Sequence, residues 1–461
     1  MTWGELYLEL ANPAIFKIMS HHGRFFRRLR NGYYANRFYN SKVMSRLSRF
    51  YRRLAEDCSD KLLLDEDSPF LRPLFACTRA VSKSMHGKHL AKISDFAGGG
   101  RSKILDELPE SVGFCYPPTS FEDLSPGQPR VTRFAPIRAI LLKNQCVDVC
   151  SSYPFDEKRK RLYVDPAFNC LPANASNAGG HLLRHGKRYG IVGKSATTST
   201  LPQGIFLGGN GSSNFYHWLL DIVPKLQVLS RLPEALAGHP LLVSRRVAEI
   251  GTFAEILNVL APNRELIYLE EGKSYLVGDA TFIEPFVTGP YNILDCKFSA
   301  EYYSTRPDAI HYLRDSVLPA LEGLNPQPWP ERVFLARSNR RSYNQDELAA
   351  IAVKNGFEVL YMEQHSFLMQ AGYFANARVL MGATGAAWAN LVFADCRSKA
   401  LCWMPEELGE FSAFSNIAGI VGMDMRYLFY ESGARNPNDI YSHSYKICPA
   451  LFQRALNRVV D

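Results

Sequence analysis

Apolar and polar positions along this chain change period at definite places. From about residue 130, short apolar runs recur: Ile137–Leu142, Arg161–Val164 and Gly204–Leu207, then Pro240–Val243, Leu266–Leu269 and Ala280–Ile283. Runs of this length bounded by turn residues predict strands. Helical stretches between the later ones predict a first α/β domain over residues 126–305.

Beyond residue 330 the alternation sharpens. Strands are predicted over 332–336, 357–361, 378–381 and 400–403, with helices over 345–355, 366–376, 385–393 and 411–421. Strand, helix, strand at this spacing implies right-handed parallel crossovers and a doubly wound sheet, assigned to 331–435. Pro307, Pro319, Pro326, Pro328 and Pro330 place a linker at 306–330. Residues 1–125 read as a helical, then irregular extension, and the tail 436–461 is expected to pack back on the first domain.

One helical stretch carries candidate chemistry. After the turn Gly208-Gly209-Asn210-Gly211-Ser212-Ser213, the residues Phe215, Trp218, Leu219, Ile222, Val223 and Leu226 follow the spacing of one buried face. His217, Asp221 and Lys225 then share another face, and Ser213 or Asn214 is placed to cap the helix. A His and an Asp at i, i+4 share a proton and meet a ligand together, or form a capping cluster in which the Asp only fixes the imidazole. On these residues alone the two readings are even.

Ligands of a doubly wound sheet collect at the carboxyl ends of its strands. The loop Arg337-Ser338-Asn339-Arg340-Arg341-Ser342-Tyr343-Asn344 concentrates three arginines there, and guanidinium forks match phosphate oxygens. In Met362-Glu363-Gln364-His365-Ser366, Ser366 is a helix cap and Glu363 an acceptor for sugar hydroxyls. The turn Gly382-Ala383-Thr384-Gly385-Ala386-Ala387 lets a diphosphate approach backbone N–H groups at a helix start. These loops describe a nucleotide-diphosphate pocket facing a His/Asp pair, the arrangement for group transfer from an activated sugar, with no metal or other cofactor required. Asp65-Glu66-Asp67 resembles a D-x-D string but reads as a solvated turn.

Composition narrows the partners. Hydrophobic residues at 46% and charged residues at 21% describe a globular chain. No apolar run is long enough to span a bilayer, the first residues lack the pattern of a secretory signal, and the ten scattered cysteines suit free thiols in a cytoplasm. The net charge of +8 is concentrated at the start, where residues 1–60 hold nine arginines and two lysines against five acids. Arginines alternate with rings over 24–30 and 46–54, so residues 1–55 are expected to meet an anionic membrane surface or to pack on a partner. No nucleic-acid module accompanies them.

Taken in order and spacing, Asn214 to Asp221, Arg332 to Ser338 with Arg341, Asn344 and Glu347, then Gly356-Phe357-Glu358, Glu363, Ser366, Gln370 and Gly382 to Asn390 resemble glycosyltransferase family 61, which includes bacterial capsular polysaccharide enzymes. The resemblance implies a GT-B-like fold of two facing Rossmann-type domains and inverting, metal-independent transfer from a nucleotide sugar to a hydroxyl of a growing cell-surface or lipid-linked glycan. It makes His217 and Asp221 catalytic, either one being the base. It assigns donor binding to Arg337, Ser338, Arg341, Asn344, Glu363, Ser366, Gln370, Gly382, Thr384, Gly385 and Asn390. Asn214, Tyr216 and Lys225 are left to the acceptor or to shaping the site. Many members carry a histidine where this chain has Thr384, which keeps open a weakly active scaffold of a polysaccharide assembly complex. Pyruvyl transfer to a polysaccharide is the nearer enzymatic alternative.

Overall fold

The computed structural model describes residues 85–92, 102–125, 127–158, 161–164, 176–177, 182–185, 189–193, 196–287, 293–294, 299–324, 329–338, 342–433, 440 and 443–460. Residues 1–55, the Asp65-Glu66-Asp67 string and Arg341 lie outside them.

A separate hairpin is formed by β1 (Ser111–Cys115) and β2 (Arg130–Phe134). The first sheet centres on β3 (Ile137–Val147), β4 (Ala196–Leu207), β5 (Leu241–Ser244), β6 (Leu266–Leu269) and β7 (Lys273–Ile283). The parallel strands run β6-β5-β4-β7, and β7 pairs antiparallel with β3, beyond which shorter strands continue the sheet. In chain order the parallel set is 3-2-1-4, the order of half a classical Rossmann sheet, with its switch point between β4 and β7.

The second sheet is wholly parallel, in the order β9-β8-β10-β11-β12, with β8 (Arg332–Leu335), β9 (Glu358–Leu360), β10 (Val379–Ala383), β11 (Lys399–Pro405) and β12 (Asp424–Tyr430). Its order, 2-1-3-4-5, reverses between β8 and β10. Leu241 to Ser244 and Val379 to Ala383 are buried at every position. That is why they read as unbroken apolar runs, since a parallel strand is covered on both faces.

The longer helices are α1 (Gly251–Leu260), α2 (Pro307–Leu321), α3 (Gln345–Lys354), α4 (Phe367–Asn376), α5 (Ala413–Val421) and α6 (Pro449–Val460). One apolar core joins the two halves, since Ile205, Trp218 and Phe253 belong to the same buried cluster as Leu335, Phe367 and Trp388. None of the helices among the described residues is long and apolar enough to cross a membrane.

Three boundaries differ from the sequence reading. The extension is not irregular throughout: Met85–Lys92 and Ser102–Leu108 are strands of the first sheet, the latter paired with β3. Polar residues such as Lys103, Asp106 and Glu107 mask its period. The proline-rich stretch 306–330 contains α2, because Pro307 stands at the helix start, where a missing N–H costs nothing. The tail does not return to the first domain. Phe452, Ala455, Leu456 and Val459 of α6 pack against Phe334, Trp403 and Leu428 of the second sheet, beside Leu348 and Ala352 of α3, because they form one apolar helix face.

Candidate functional site

At the carboxyl end of β4 the chain turns through Gly208 to Gly211 into the His217 helix. Gly211 has φ +87°, and a Cβ there would stand 2.8 Å from His217 Cγ, so the imidazole lies directly on the turn. Asn214 is the N-cap; its Oδ1 accepts the Tyr216 N–H at 2.9 Å. Only Phe215–His217 is α-helical; Trp218–Ile222 is a π turn and Val223–Arg231 is 3-10. Single π turns recur at functional sites. Even α spacing would set Lys225 beside His217 and Asp221, but this helix carries it inward. Lys225 is buried, donating to the Gly208 carbonyl at 3.0 Å with its ammonium 5.8 Å from the Phe282 ring centre. It therefore shapes the glycine turn.

His217 Nδ1 lies 2.6 Å from Asp221 Oδ2, and the two side chains remain 20% and 15% exposed. The other oxygen of Asp221, Oδ1, is buried with no hydrogen-bond partner among the described residues. A neutral imidazole that gives its Nδ1–H to the carboxylate keeps its lone pair on Nε2. The Tyr216 ring meets His217 edge-on at 5.2 Å and Phe414 of α5 at 5.8 Å. Burial, then the negative charge of Asp221, holds the Tyr216 phenol well above its ordinary value. It stays protonated.

The second cluster forms at the β8/β10 switch point. Arg337 follows β8, and Gly385 follows β10. A Cβ on Gly385 would stand 2.7 Å from Arg337 Nη2, so the guanidinium lies against the glycine turn. Gly382 serves strand packing instead, since a Cβ there would meet Leu335 Cβ at 2.7 Å. Thr384 is buried and its N–H donates to the Trp403 carbonyl at 3.0 Å. Glu363 holds the arginine loop, accepting from the Ser338 hydroxyl and from the Ser338 N–H at 3.2 Å.

Other predicted donor ligands have structural work. Ser366 Oγ caps α4 by accepting the Met369 N–H at 3.4 Å. Gln370 and Asn390 are buried and joined at 3.1 Å, and Gln370 Nε2 also donates to the His365 carbonyl at 3.1 Å. Asn390 Oδ1 has no partner among the described residues. The Asn344 amide pairs with the Ile447 backbone and with Glu347.

The two clusters are carried on elements that touch. The first turn of the His217 helix packs on the 3-10 helix Ala386–Phe393 that follows Gly385. Arg314 of α2 donates to the Val392 and Ala394 carbonyls at 2.7 and 2.8 Å, where the negative end of that helix favours a cation. Glu255 of α1 accepts the Phe367 N–H at the start of α4. The structure thus brings together His217, Asp221 and Tyr216 on one side, and Arg337, Ser338, Glu363 and Gly385 on the other.

Residues 215–401 match the model of the glycosyltransferase 61 family. No curated protein matches the chain. The match is to a family of glycosyltransferases, enzymes that in general use a sugar donor and a glycan acceptor. Its region opens on Phe215, the first residue of the His217 helix, and closes at Leu401 in β11, so it contains the His217–Asp221 pair and the whole β8/β10 switch point. Sequence reading missed Gln345, Glu255 and Arg314 around this glycosyltransferase 61 region. Each acts through a contact distant in sequence or through backbone groups, and a motif search carries no signal for that. Among the described residues, no three His, Cys, Asp or Glu side chains are grouped to hold a metal ion.

Proposed function

We propose that this protein is an inverting glycosyltransferase that moves a sugar from a nucleotide-sugar donor to a hydroxyl of a growing cell-surface polysaccharide, without a metal. The observation that carries the reading is the 2.6 Å His217–Asp221 pair at one switch point, with Arg337 against the Gly385 turn at the other. The two sheet orders and the contact between their site elements support a GT-B-like arrangement of two facing Rossmann-type units.

His217 acts as the base and Asp221 orients it. The acceptor hydroxyl oxygen attacks the anomeric carbon as its proton passes to His217 Nε2. The bond from that carbon to the phosphate oxygen breaks, and the nucleoside diphosphate leaves with the electron pair. Attack from the face opposite the leaving group inverts the centre. Asp221 fixes the tautomer and stabilises the imidazolium that forms, the role of a carboxylate behind a catalytic histidine. Arg337 and the N–H groups after Gly385 neutralise the charge gathering on the diphosphate. The basic stretch 1–55 supports placement on the inner face of a cytoplasmic membrane, where a lipid-linked glycan is within reach.

Thermal-shift screening against UDP, GDP, CMP, ADP and dTDP, with and without magnesium, tests the donor site. A ligand at about 100 times its Kd adds roughly 2.7 kcal/mol to the folded state, so one nucleotide should raise Tm whether or not magnesium is present. Asp221→Asn should then lower transfer at least about 100-fold with Tm nearly unchanged, because it keeps the shape and removes the charge. No shift with any nucleotide, or full activity in Asp221→Asn, would overturn the reading.

A further inference from the structure

We propose that Gln345 and Tyr343, held in place by the C-terminal segment 443–448, are positioning residues for Arg337 and so set the affinity of the site for a diphosphate. The inference rests on the donor-site reading above but concerns residues outside its contact set.

A single side chain grips the Arg337 backbone at both ends. Gln345 Oε1 accepts the Arg337 N–H at 2.8 Å, and Gln345 Nε2 donates to the Arg337 carbonyl at 3.0 Å. The amide thus replaces a missing strand neighbour just where β8 has ended. Its acceptor oxygen is also held from behind by the Tyr343 hydroxyl, which donates at 3.1 Å. Burial raises the Tyr343 phenol, so it remains a donor.

The Tyr343 ring is in turn fixed by the tail. It stacks on Tyr445 at 5.2 Å and 6°, and Tyr445 stacks on Tyr430 at 4.2 Å and 14°. Its edge meets Trp403 of β11 at 5.8 Å. Backbone and amide groups lock the same register. Tyr445 N–H donates to the Ser342 carbonyl at 3.1 Å, and Asn344 exchanges bonds of 2.9 and 3.0 Å with the Ile447 N–H and carbonyl. A continuous chain of contacts therefore runs from Ile447 and Tyr445 through Tyr343 and Gln345 to Arg337, whose guanidinium reaches Gly385.

The physical consequence is pre-organisation. An arginine side chain loses part of its rotamer freedom when it clasps an anion. A backbone already fixed in place loses less on binding. Tyr343 and Gln345 lie inside the 215–401 family region, whereas the segment 443–448 that holds them lies beyond it.

Calorimetric titration with inorganic pyrophosphate tests the idea, since this probe carries the diphosphate without a base or sugar. Arg337→Ala should lose most of the wild-type affinity. Gln345→Ala should bind about tenfold more weakly and Tyr343→Phe about threefold, the range expected for lost or loosened hydrogen bonds. In the transfer assay both should raise donor KM with kcat within about twofold, the signature of lost donor binding rather than lost chemistry. Tyr343→Phe removes one oxygen and keeps the stack, so it answers the question even if Gln345→Ala folds poorly. If Arg337→Ala is weakened while Gln345→Ala and Tyr343→Phe bind like wild type, the brace is refuted and the donor site stands. If the wild type binds neither pyrophosphate nor any nucleoside diphosphate, the donor-site reading falls, and the brace with it.

Discussion

Gly211 and His217 occupy one space: a Cβ on the glycine would come within 2.8 Å of the imidazole. The glycine turn after β4 is therefore part of the histidine's seat, with five residues, Ser212 to Tyr216, between the two.

Gly211→Ala should disturb both the fold and the chemistry. The backbone there has φ +87°, which costs an L-residue of order 1 kcal/mol, and the methyl displaces the imidazole. The expected result is a Tm lower by a few degrees and transfer reduced at least about tenfold. Wild-type activity would show that His217 does not need that position.

Gly385→Ala should separate binding from stability. Its φ of 175° is extended backbone that any residue adopts, so the only conflict is with the movable end of Arg337. Tm should change by no more than a degree or two, while pyrophosphate or nucleotide affinity falls about tenfold. Unchanged affinity would remove Arg337 from the diphosphate site.

Ser366→Ala should do the opposite. Ser366 caps α4, and loss of an N-cap costs about 1 kcal/mol. Denaturant unfolding should show that loss while nucleotide affinity stays at the wild-type value. A large fall in affinity with little change in stability would return Ser366 to the donor ligands.

Stability should also fall with acid through His239. Its side chain is buried and its Nδ1 has no hydrogen-bond partner among the described residues; burial lowers its pKa below the ordinary 6.5. The unfolded chain then takes up a proton at a pH where the folded chain does not. The contribution is full above about pH 6.5 and is lost as pH falls below it. His239→Gln should flatten the stability profile between pH 7 and 5, measured by urea unfolding; an unchanged slope would exclude His239 as its source.

The second half was legible because its central strands β8, β10 and β11 are buried at nearly every position and Ser366 caps α4. Gln345–Lys354 and Phe367–Asn376 start within a residue of their expected places. The His/Asp pair was legible from an i, i+4 spacing that survives one π turn, whereas Lys225, one turn further on, does not keep its face. The resemblance made Asn344 a donor ligand. In the structure its amide bonds Glu347 and also Ile447, 103 residues away, and no local pattern announces a bond over that span. The early strands were hidden for a related reason, since Ser102–Leu108 pairs through its backbone while most of its side chains are polar.

Where the β1–β2 connection crosses to the second sheet, Phe121 N–H donates to the Tyr427 carbonyl at 2.9 Å and Tyr427 N–H to the Thr119 carbonyl at 2.8 Å. Tyr427 lies on β12, the outermost strand of that sheet. An open outer strand is a template on which a stranger's chain can grow. Here the molecule closes that template with a loop of its own, so the same few residues that shield the edge also add a backbone tie between the two sheets. A cut in the loop would expose that edge while the shared core still held the halves together.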